Sequence, residues 1–226
     1  MTSQLPTDLI TPYGGVLQDL LAGVQQAEYL KKEAVQLPSW DLNERQVTEI
    51  ELLINGGFSP LRGFMGERDY DSVCTDMRLG DGTLWPLPVI LYVTEEFAQS
   101  ISQGARVALR HPEGMVLAVL TVSEMWSPDR DKEARLVYGT GDDVHPGVFR
   151  IIHQANPVYI GGSVEGVELP EHHVLRHLRN TPAQLRALFQ GWGWARVVAF
   201  QARTPMHKAH IELTKQAAAE AQANLL

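Results

Sequence analysis

An apolar strand, a polar loop and a helix follow one another near the end of this 226-residue chain, and this succession constrains the fold more than any other feature. Residues Arg196–Phe200 form a short, nearly continuous apolar run, which is typical of a buried parallel strand. Residues His207–Ala223 are rich in Ala, Glu, Gln and Lys, which predicts a helix. Another helix is predicted from Thr181, because Pro182 suits the first helical position and Gln184 completes a capping box. Helix, strand, loop and helix predict the opening of a doubly wound α/β domain.

The chain before residue 170 has a different pattern. Two helices are predicted there, one begun by a capping box of Asn43 and Gln46 and one begun by Thr94. Gly104 is predicted to end the second helix. Four runs have the composition of strands: Leu87–Val93, Ala105–Arg110, Met115–Val122 and Arg135–Tyr138. This pattern predicts a β-rich unit with few helices.

The change of pattern near residue 170 indicates a domain boundary. Pro170 and the polar run Glu171–His173 follow the glycine-rich stretch Gly161–Ser163. We therefore predict a first domain over residues 1–168 and the beginning of a second over 169–226.

Charge is distributed unevenly between these two parts. The whole chain has a net charge of −8, but residues 1–170 carry 12 Lys and Arg against 24 Asp and Glu, whereas residues 171–226 carry 7 against 3. The acidic first part argues against nucleic-acid binding, and the basic second part suits an anionic small molecule. A solvated helix face formed by Arg176, Arg179 and Arg186 explains the basic charge equally well.

Other features of composition concern the compartment. Cys74 is the single cysteine, and no apolar run reaches the 18 residues of a membrane helix. The start, Met1–Pro6, lacks the basic and apolar regions of a secretory signal. We expect a cytoplasmic protein with no membrane partner.

The loop between the last predicted strand and helix is the candidate site. Ligands of open α/β sheets bind beyond the carboxyl ends of strands, where the next helix presents free N–H groups. His207 and His210 are three residues apart, so both lie on one face of the helix, and Arg203 offers a planar group that suits a tetrahedral oxyanion. The alternatives are a solvated histidine pair or a histidine buried in the core.

Three other groups of residues receive structural interpretations. His173 and His177 are four residues apart, but with His172 they lack a cysteine or carboxylate to complete a metal site, which favours an interdomain surface role. Trp192 and Trp194 are interpreted as packing residues. The glycines around residues 56–66 indicate a tight loop, from which Arg62 could reach the second domain.

The loop and several earlier motifs resemble one protein family. The loop pattern is Gln201-x-Arg203-x-Pro205-Met206-His207-x-Ala209-His210-x-Glu212-Leu213-Thr214. It is similar to the signature of sulfate adenylyltransferase (ATP sulfurylase), a nucleotidylyltransferase family with an HxGH-type motif. Further similar motifs occur in the family's order: Asn55–Met65, Trp85–Val89, Tyr138–Thr140, His145–Gly147 and Thr181–Ala183.

This resemblance implies a fold and an activity. The fold is a PUA-like, β-barrel-type N-terminal domain followed by the start of a Rossmann-like nucleotidylyltransferase domain, that is, α+β then α/β. The reaction converts ATP and sulfate to adenosine 5′-phosphosulfate and pyrophosphate, with Mg²⁺ on the nucleotide and no metal held by the protein. Gln201 and Arg203 would bind sulfate, His207 and His210 would bind the ATP phosphates, and the catalytic residues would be Arg203, Thr204, His207 and His210.

The chain departs from the family at two positions of the loop. Ala202 and Thr204 stand where the family usually has Thr and Asn, which removes a hydroxyl and replaces an amide by a shorter hydroxyl. The departures leave an alternative open: a catalytically degenerate domain that acts as a scaffold or regulatory module, with or without a fused adenylylsulfate kinase. The family also implies a homo-oligomer. An RNA-binding PUA module is disfavoured by the acidic first part.

Overall fold

A computed structural model describes residues 9–226 of the chain. The segment Met1–Pro6, in which the sequence indicates no secretory signal, lies outside these residues. The helices are α1 (Val24–Glu33), α2 (Glu44–Ile54), α3 (Glu67–Asp76), α4 (Glu95–Ser100), α5 (Arg130–Tyr138), α6 (Pro146–Phe149), α7 (Pro182–Gly191) and α8 (Lys208–Glu220), with a π-helix over Arg150–Gln154 and a 3₁₀ helix over Arg176–Leu178. The strands are β1 (Ser39–Asp41), β2 (Gly63–Phe64), β3 (Leu91–Val93), β4 (Arg106–Arg110), β5 (Val116–Trp126), β6 (Val158–Gly166), β7 (Val197–Val198) and β8 (Asn224–Leu225).

Six strands of the first part form one sheet in the order β1-β4-β5-β6-β2, with β3 also paired to β6. β1 runs parallel to β4, and the other pairs are antiparallel. β6 is the central strand, because β5 lies along one side of it and β2 and β3 lie along the other. Apolar side chains of β4, β5 and β6 form one buried cluster with Ile50, Leu53 and Ile54 of α2, while Val119 of β5 packs with Leu30 of α1.

Helix α2 begins where the sequence predicts. The Asn43 side chain accepts a hydrogen bond from the Gln46 backbone N–H at 3.0 Å, and the Gln46 side chain accepts one from the Asn43 backbone N–H at 3.1 Å. Gln46 is buried, and its side-chain amide also donates to the Tyr92 carbonyl at 3.0 Å. The capping residue thus also joins the helix to β3. Thr94 caps α4 by accepting from the Phe97 N–H, although α4 ends at Ser100, before the predicted stop at Gly104.

Two predictions for the first part are wrong. Residues Arg135–Tyr138 are not a strand but the end of α5. Asp129 caps this helix by accepting from the Lys132 N–H, and Gly139 ends it in the left-handed region. The expectation of few helices also fails, because six helices, α1 to α6, lie between Val24 and Phe149.

The glycine-rich stretch that the sequence indicates near the boundary lies inside β6. A Cβ at Gly162 would lie 2.2 Å from the Thr121 carbonyl oxygen, and one at Gly63 would lie 2.0 Å from the Gly162 carbonyl oxygen. A Cβ at Gly161 would meet the Met65 carbonyl oxygen at 2.7 Å. Glycine is therefore required here because three strands approach one another closely.

A buried carboxylate, Glu133 of α5, joins this helix to the sheet and to α3. Its Oε2 accepts hydrogen bonds from the Tyr70 and Tyr159 hydroxyls, both at 2.9 Å. Burial raises the pKa of Glu133, and the two tyrosine bonds oppose this rise only in part. Burial and the neighbouring Glu133 also raise the pKa of both tyrosines, and burial raises the pKa of Cys74 to about 12.

We expect Glu133→Gln to change how stability depends on pH. A carboxyl whose pKa is raised in the folded state contributes stability below its unfolded pKa of about 4.3 and loses it as pH rises through the folded pKa. The glutamine side chain of the variant would stay neutral and keep an accepting oxygen for both tyrosines. The unfolding free energy of the variant, relative to that of the wild type, should therefore increase as the pH rises above about 4.3, by on the order of 1 kcal/mol, the worth of one unit of pKa.

Urea unfolding at several pH values measures this difference. Glu28→Gln, which changes an exposed carboxylate of α1, is the control and should follow the wild type at each pH. If the unfolding free energies of Glu133→Gln and the wild type differ by the same amount at every pH, the prediction is wrong.

The second part begins as predicted. Thr181 accepts a hydrogen bond from the Gln184 N–H, and the Gln184 side chain accepts one from the Thr181 N–H, so α7 has its capping box. β7 pairs in parallel with β8, and α8 connects them. β7 is shorter than the predicted strand, and Val197, Val198 and Phe200 are only half-buried, because β8 is their one neighbouring strand within residues 9–226. Among residues 9–226, no helix is both long enough and apolar enough to cross a membrane.

Candidate functional site

The loop between β7 and α8 lies at the carboxyl end of β7. The Phe200 N–H donates to the Leu226 carbonyl at 3.1 Å, which continues the parallel pairing beyond β7. The chain then leaves the sheet and enters α8 at Lys208. This is the position at which α/β folds present the N-terminal N–H groups of a helix to anions.

His207 and His210 lie together at the start of α8. Their ring centroids are 3.8 Å apart and the rings are stacked, with 27° between their planes. His207 is the N-cap residue and its side chain makes no capping bond, while the His210 backbone N–H donates to the His207 carbonyl at 2.9 Å. The spacing of three residues therefore brings the two imidazoles to one face, as predicted.

Phe200, which follows β7, packs against one ring of this pair. Its ring centroid lies 5.8 Å from that of His210. His210 is half-buried, and its Nδ1 is buried with no hydrogen-bond partner among residues 9–226, whereas His207 is exposed. One imidazole is thus packed and the other is free to meet a ligand, which excludes a histidine buried in the core.

Gln201, Arg203 and Thr204 lie in the same loop and are exposed. Within the described part of the chain, none of their side chains makes a hydrogen bond or an ion pair. The structure therefore brings the two histidines into contact. The other three predicted site residues precede them in the same loop, and their side chains have no hydrogen bond or ion pair among residues 9–226. With Lys208, they form an exposed loop that has two fixed positive charges and no carboxylate.

The arrangement suits a polyanion. Arg203 can donate several hydrogen bonds in one plane, and the first N–H groups of α8 have no intrahelical acceptor. An imidazole that is not committed to capping can donate to a phosphoryl oxygen. No group of three His, Cys, Asp or Glu residues that could hold a metal ion occurs in residues 9–226.

The segment between the two parts contacts the first domain through His172. Its Nε2 lies 2.8 Å from Oε1 of Glu51 in α2, and its carbonyl accepts a bond from Arg176 at 2.7 Å. Arg186 of α7 donates to the Ile10 carbonyl. His173 and His177 are exposed. The histidines of this segment therefore include one that connects the two parts and none that belongs to a metal cluster of the described residues.

Of the two tryptophans after α7, Trp194 packs as predicted, whereas Trp192 is 56% exposed. The Trp194 ring stacks on Phe189 with centroids 5.7 Å apart and 16° between the planes, and the Trp192 and Trp194 centroids are 4.9 Å apart. These contacts hold the turn between α7 and β7.

A second polar site lies in the first domain, and no pattern in the sequence predicts it. Arg45, Glu49, Glu133 and Arg150 line a cavity of about 40 Å³ that only water-sized molecules fit. Glu49 is buried, its Oε1 accepts from Arg45 at 2.7 Å, and burial raises its pKa despite Arg45. Its Oε2 has no partner among the described residues. The size of the cavity excludes a nucleotide.

Two family models match the chain. A model described as PUA-like domain matches residues 10–169, and one described as ATP-sulfurylase matches residues 176–226. The first match confirms the predicted PUA-like type of the N-terminal domain. The second confirms that the part of the chain with the loop resembles the ATP-sulfurylase family.

Known proteins match over nearly the whole chain. The sulfate adenylyltransferase of Eremothecium gossypii is 46% identical over 219 residues, which are 96% of this chain and 44% of that protein. The sulfate adenylyltransferase of Saccharomyces cerevisiae is 47% identical over 218 residues, which are 95% of this chain and 42% of that protein. The chain thus spans less than half the length of these curated relatives.

A solved structure described as hexameric APS kinase from Thiobacillus denitrificans is also similar. It is 39% identical with a TM-score of 0.78, and the match covers 96% of this chain and 38% of that chain.

Proposed function

This chain belongs to the sulfate adenylyltransferase (ATP sulfurylase) family, of which it carries the PUA-like domain and sequence of the ATP-sulfurylase domain, and on this premise we propose that the protein forms adenosine 5′-phosphosulfate from ATP and sulfate. The observation that carries the proposal is the stacked pair of His207 and His210 at the start of α8. It lies beyond the carboxyl end of β7, in an exposed cationic loop.

In the proposed reaction a sulfate oxygen attacks the α-phosphorus of ATP. The new bond joins this oxygen to phosphorus, and the bond from the α-phosphorus to the bridging oxygen breaks, so that pyrophosphate leaves with its electron pair. Gln201 and Arg203 would hold sulfate, while His207 and His210 would donate to the phosphates of ATP and stabilise the charge on pyrophosphate. Thr204 would be a further catalytic residue close to the reacting atoms. Positioning and electrostatic stabilisation can carry such an in-line displacement without a covalent enzyme intermediate.

Mg²⁺ would enter with the nucleotide. The loop of residues 201–210 contains no carboxylate, so it offers no ligand of the kind that Mg²⁺ prefers. The ion would neutralise the phosphates of ATP, and the protein would contribute the hydrogen bonds described above.

Further parts of the proposal concern organisation. We place the domains at residues 1–168 and 169–226, and we regard the β7-α8-β8 unit as the opening of a Rossmann-like nucleotidylyltransferase domain. The assembly would be a homo-oligomer in the cytoplasm. The similarity to relatives named sulfate adenylyltransferase does not favour a degenerate scaffold, and a fused adenylylsulfate kinase is compatible with an active enzyme.

The test of this function is pyrophosphate release from ATP that depends on sulfate. The purified protein is incubated with ATP, Mg²⁺ and sulfate, and pyrophosphate is measured with and without sulfate. Release that requires sulfate supports the proposal, and release that is independent of sulfate contradicts it.

Arg203→Ala is expected to weaken sulfate binding by about 10- to 100-fold, the scale of one or two charge-assisted hydrogen bonds. Calorimetric titration with sulfate measures the dissociation constant. Arg196→Ala is the matched control, because Arg196 is also exposed but precedes β7. Equal affinity of Arg203→Ala and the wild type would show that Arg203 does not hold sulfate.

A further inference from the structure

The edge strand β1 has backbone groups that pair with no other strand among residues 9–226. The Ala108 N–H donates to the Pro38 carbonyl, and the Leu42 N–H donates to the Arg110 carbonyl, so residues 38 and 42 direct their backbone groups toward β4. Backbone direction alternates along a strand, and therefore Ser39 and Asp41 direct their N–H and C=O groups away from β4. In the part of the chain that the structure describes, β1 pairs with β4 alone.

A groove of about 460 Å³ runs along this edge. It is lined by the three residues of β1 and by Thr94, Glu96, Phe97 and Ser100 at and within α4. The Trp40 and Phe97 rings pack together in it, with centroids 5.0 Å apart and 49° between their planes. Ser39 and Asp41 are exposed, and no hydrogen bond to another loop or strand among residues 9–226 occupies their outward backbone groups.

The charge at the groove is negative. Asp41 lines it from β1 and Glu96 from α4, and Glu95 precedes Glu96 in the first turn of α4. No ion pair in residues 9–226 involves any of these three carboxylates. Arg110 is opposite Asp41 in the ladder, but its guanidinium donates to the carbonyls of Gly114 and Ala34. The rim therefore favours a cationic partner.

We propose that the groove between β1 and α4 binds a basic, extended peptide segment of a partner protein as an additional strand beside β1. The peptide backbone would bond the N–H and C=O groups of Ser39 and Asp41 at the usual strand spacing of about 4.8 Å. Its apolar side chains would lie on Trp40 and Phe97, and its Lys or Arg side chains would meet Asp41 and Glu96. The site is separate from the loop at His207 and does not depend on the proposed activity.

Short, charged edge strands also serve to prevent pairing between proteins. In that case the charge and hydration of Asp41 and Glu96 would keep the edge unpaired, and the groove would remain empty. The two interpretations differ in their response to a cationic strand, because acidic residues that protect an edge from neutral or acidic strands attract a basic one.

The test uses fluorescence anisotropy with labelled, end-blocked Lys-Val-Lys-Val-Lys added to the 226-residue chain at low ionic strength. We expect saturable binding below about 1 mM, the weak range of a small interface. The matched peptide Glu-Val-Glu-Val-Glu should bind at least about 10-fold more weakly, and the Asp41→Asn, Glu96→Gln variant should bind the basic peptide at least about 10-fold more weakly than the wild type.

Two N-methylated basic peptides test strand addition without altering the protein. Methyl groups on alternate residues remove the N–H donors from one side of an extended peptide. One alternation should weaken binding at least about 10-fold and the other should leave it unchanged, because only one side faces β1. Equal effects of both alternations would overturn strand addition. Absence of binding, or equal affinity for the acidic peptide, would overturn the site itself.

Discussion

Replacing Ala202 by Thr and Thr204 by Asn is expected to raise sulfate-dependent pyrophosphate release about 100-fold or more. Each change returns a side-chain donor that the family usually has in the loop, and one positioned transition-state donor is typically worth about 10²–10³ in rate. Both positions are exposed between β7 and α8, so the larger side chains need no repacking. The gain should appear in kcat, because such donors act on charge that develops in the reaction.

The control for this gain combines it with His207→Ala and His210→Ala. That variant should fall back to the background, because the ATP phosphates lose both imidazoles. If the unmodified protein already turns over at about 1 s⁻¹ or faster, an ordinary rate for an enzyme, Ala202 and Thr204 are tolerated in the site and the expected gain will be absent.

Gly162→Ala is expected to destabilise the first domain by about 4 kcal/mol or more, the range of the most damaging single substitutions. A Cβ at this position lies 2.2 Å from the Thr121 carbonyl oxygen and 2.9 Å from the Leu120 side chain. The first contact is with backbone, so relief requires β5 and β6 to separate, with loss of the hydrogen bonds between them.

Thermal and urea unfolding, followed by circular dichroism, measure this effect. Gly23→Ala is the control, because a Cβ at Gly23 has no neighbour within 4 Å and the residue has a negative φ of −63°. It should lower the unfolding free energy by no more than about 1 kcal/mol, because Gly23 is the N-cap of α1 and alanine caps a helix less well than glycine. A Gly162→Ala protein as stable as this control would show that the strands can move apart at little cost.

Local sequence rules predict the ends of helices because their partners are close in the chain. Asn43 and Gln46 cap each other across three residues, and Thr181 and Gln184 do the same. The histidine pair follows from the same kind of rule, since residues three apart share a helix face. These features require no knowledge of the rest of the fold.

The parts that sequence rules miss depend on distant residues. Glu133 is recognisable as a buried acceptor only from Tyr70 and Tyr159, which are 63 and 26 residues away. The glycines of β6 look like a turn until β2 and β5 are placed beside them. Arg135–Tyr138 has strand-like composition, but the cap at Asp129, six residues earlier, decides for a helix. Tertiary packing decides the roles of Glu133 and of the β6 glycines, whereas at Arg135–Tyr138 the nearby cap outweighs the strand-like composition.

The central position of β6 has a consequence for how the protein is made. Synthesis proceeds from the N-terminus, and β2 is complete roughly 100 residues before its partner residues in β6, a wait of roughly 5–20 s at ordinary rates of translation. During that interval β3 lacks its neighbour in the sheet and β5 has only β4. The nascent chain therefore carries uncovered apolar strands until residue 166 has left the ribosome, and this period, rather than the folded protein, is when it most needs protection by chaperones.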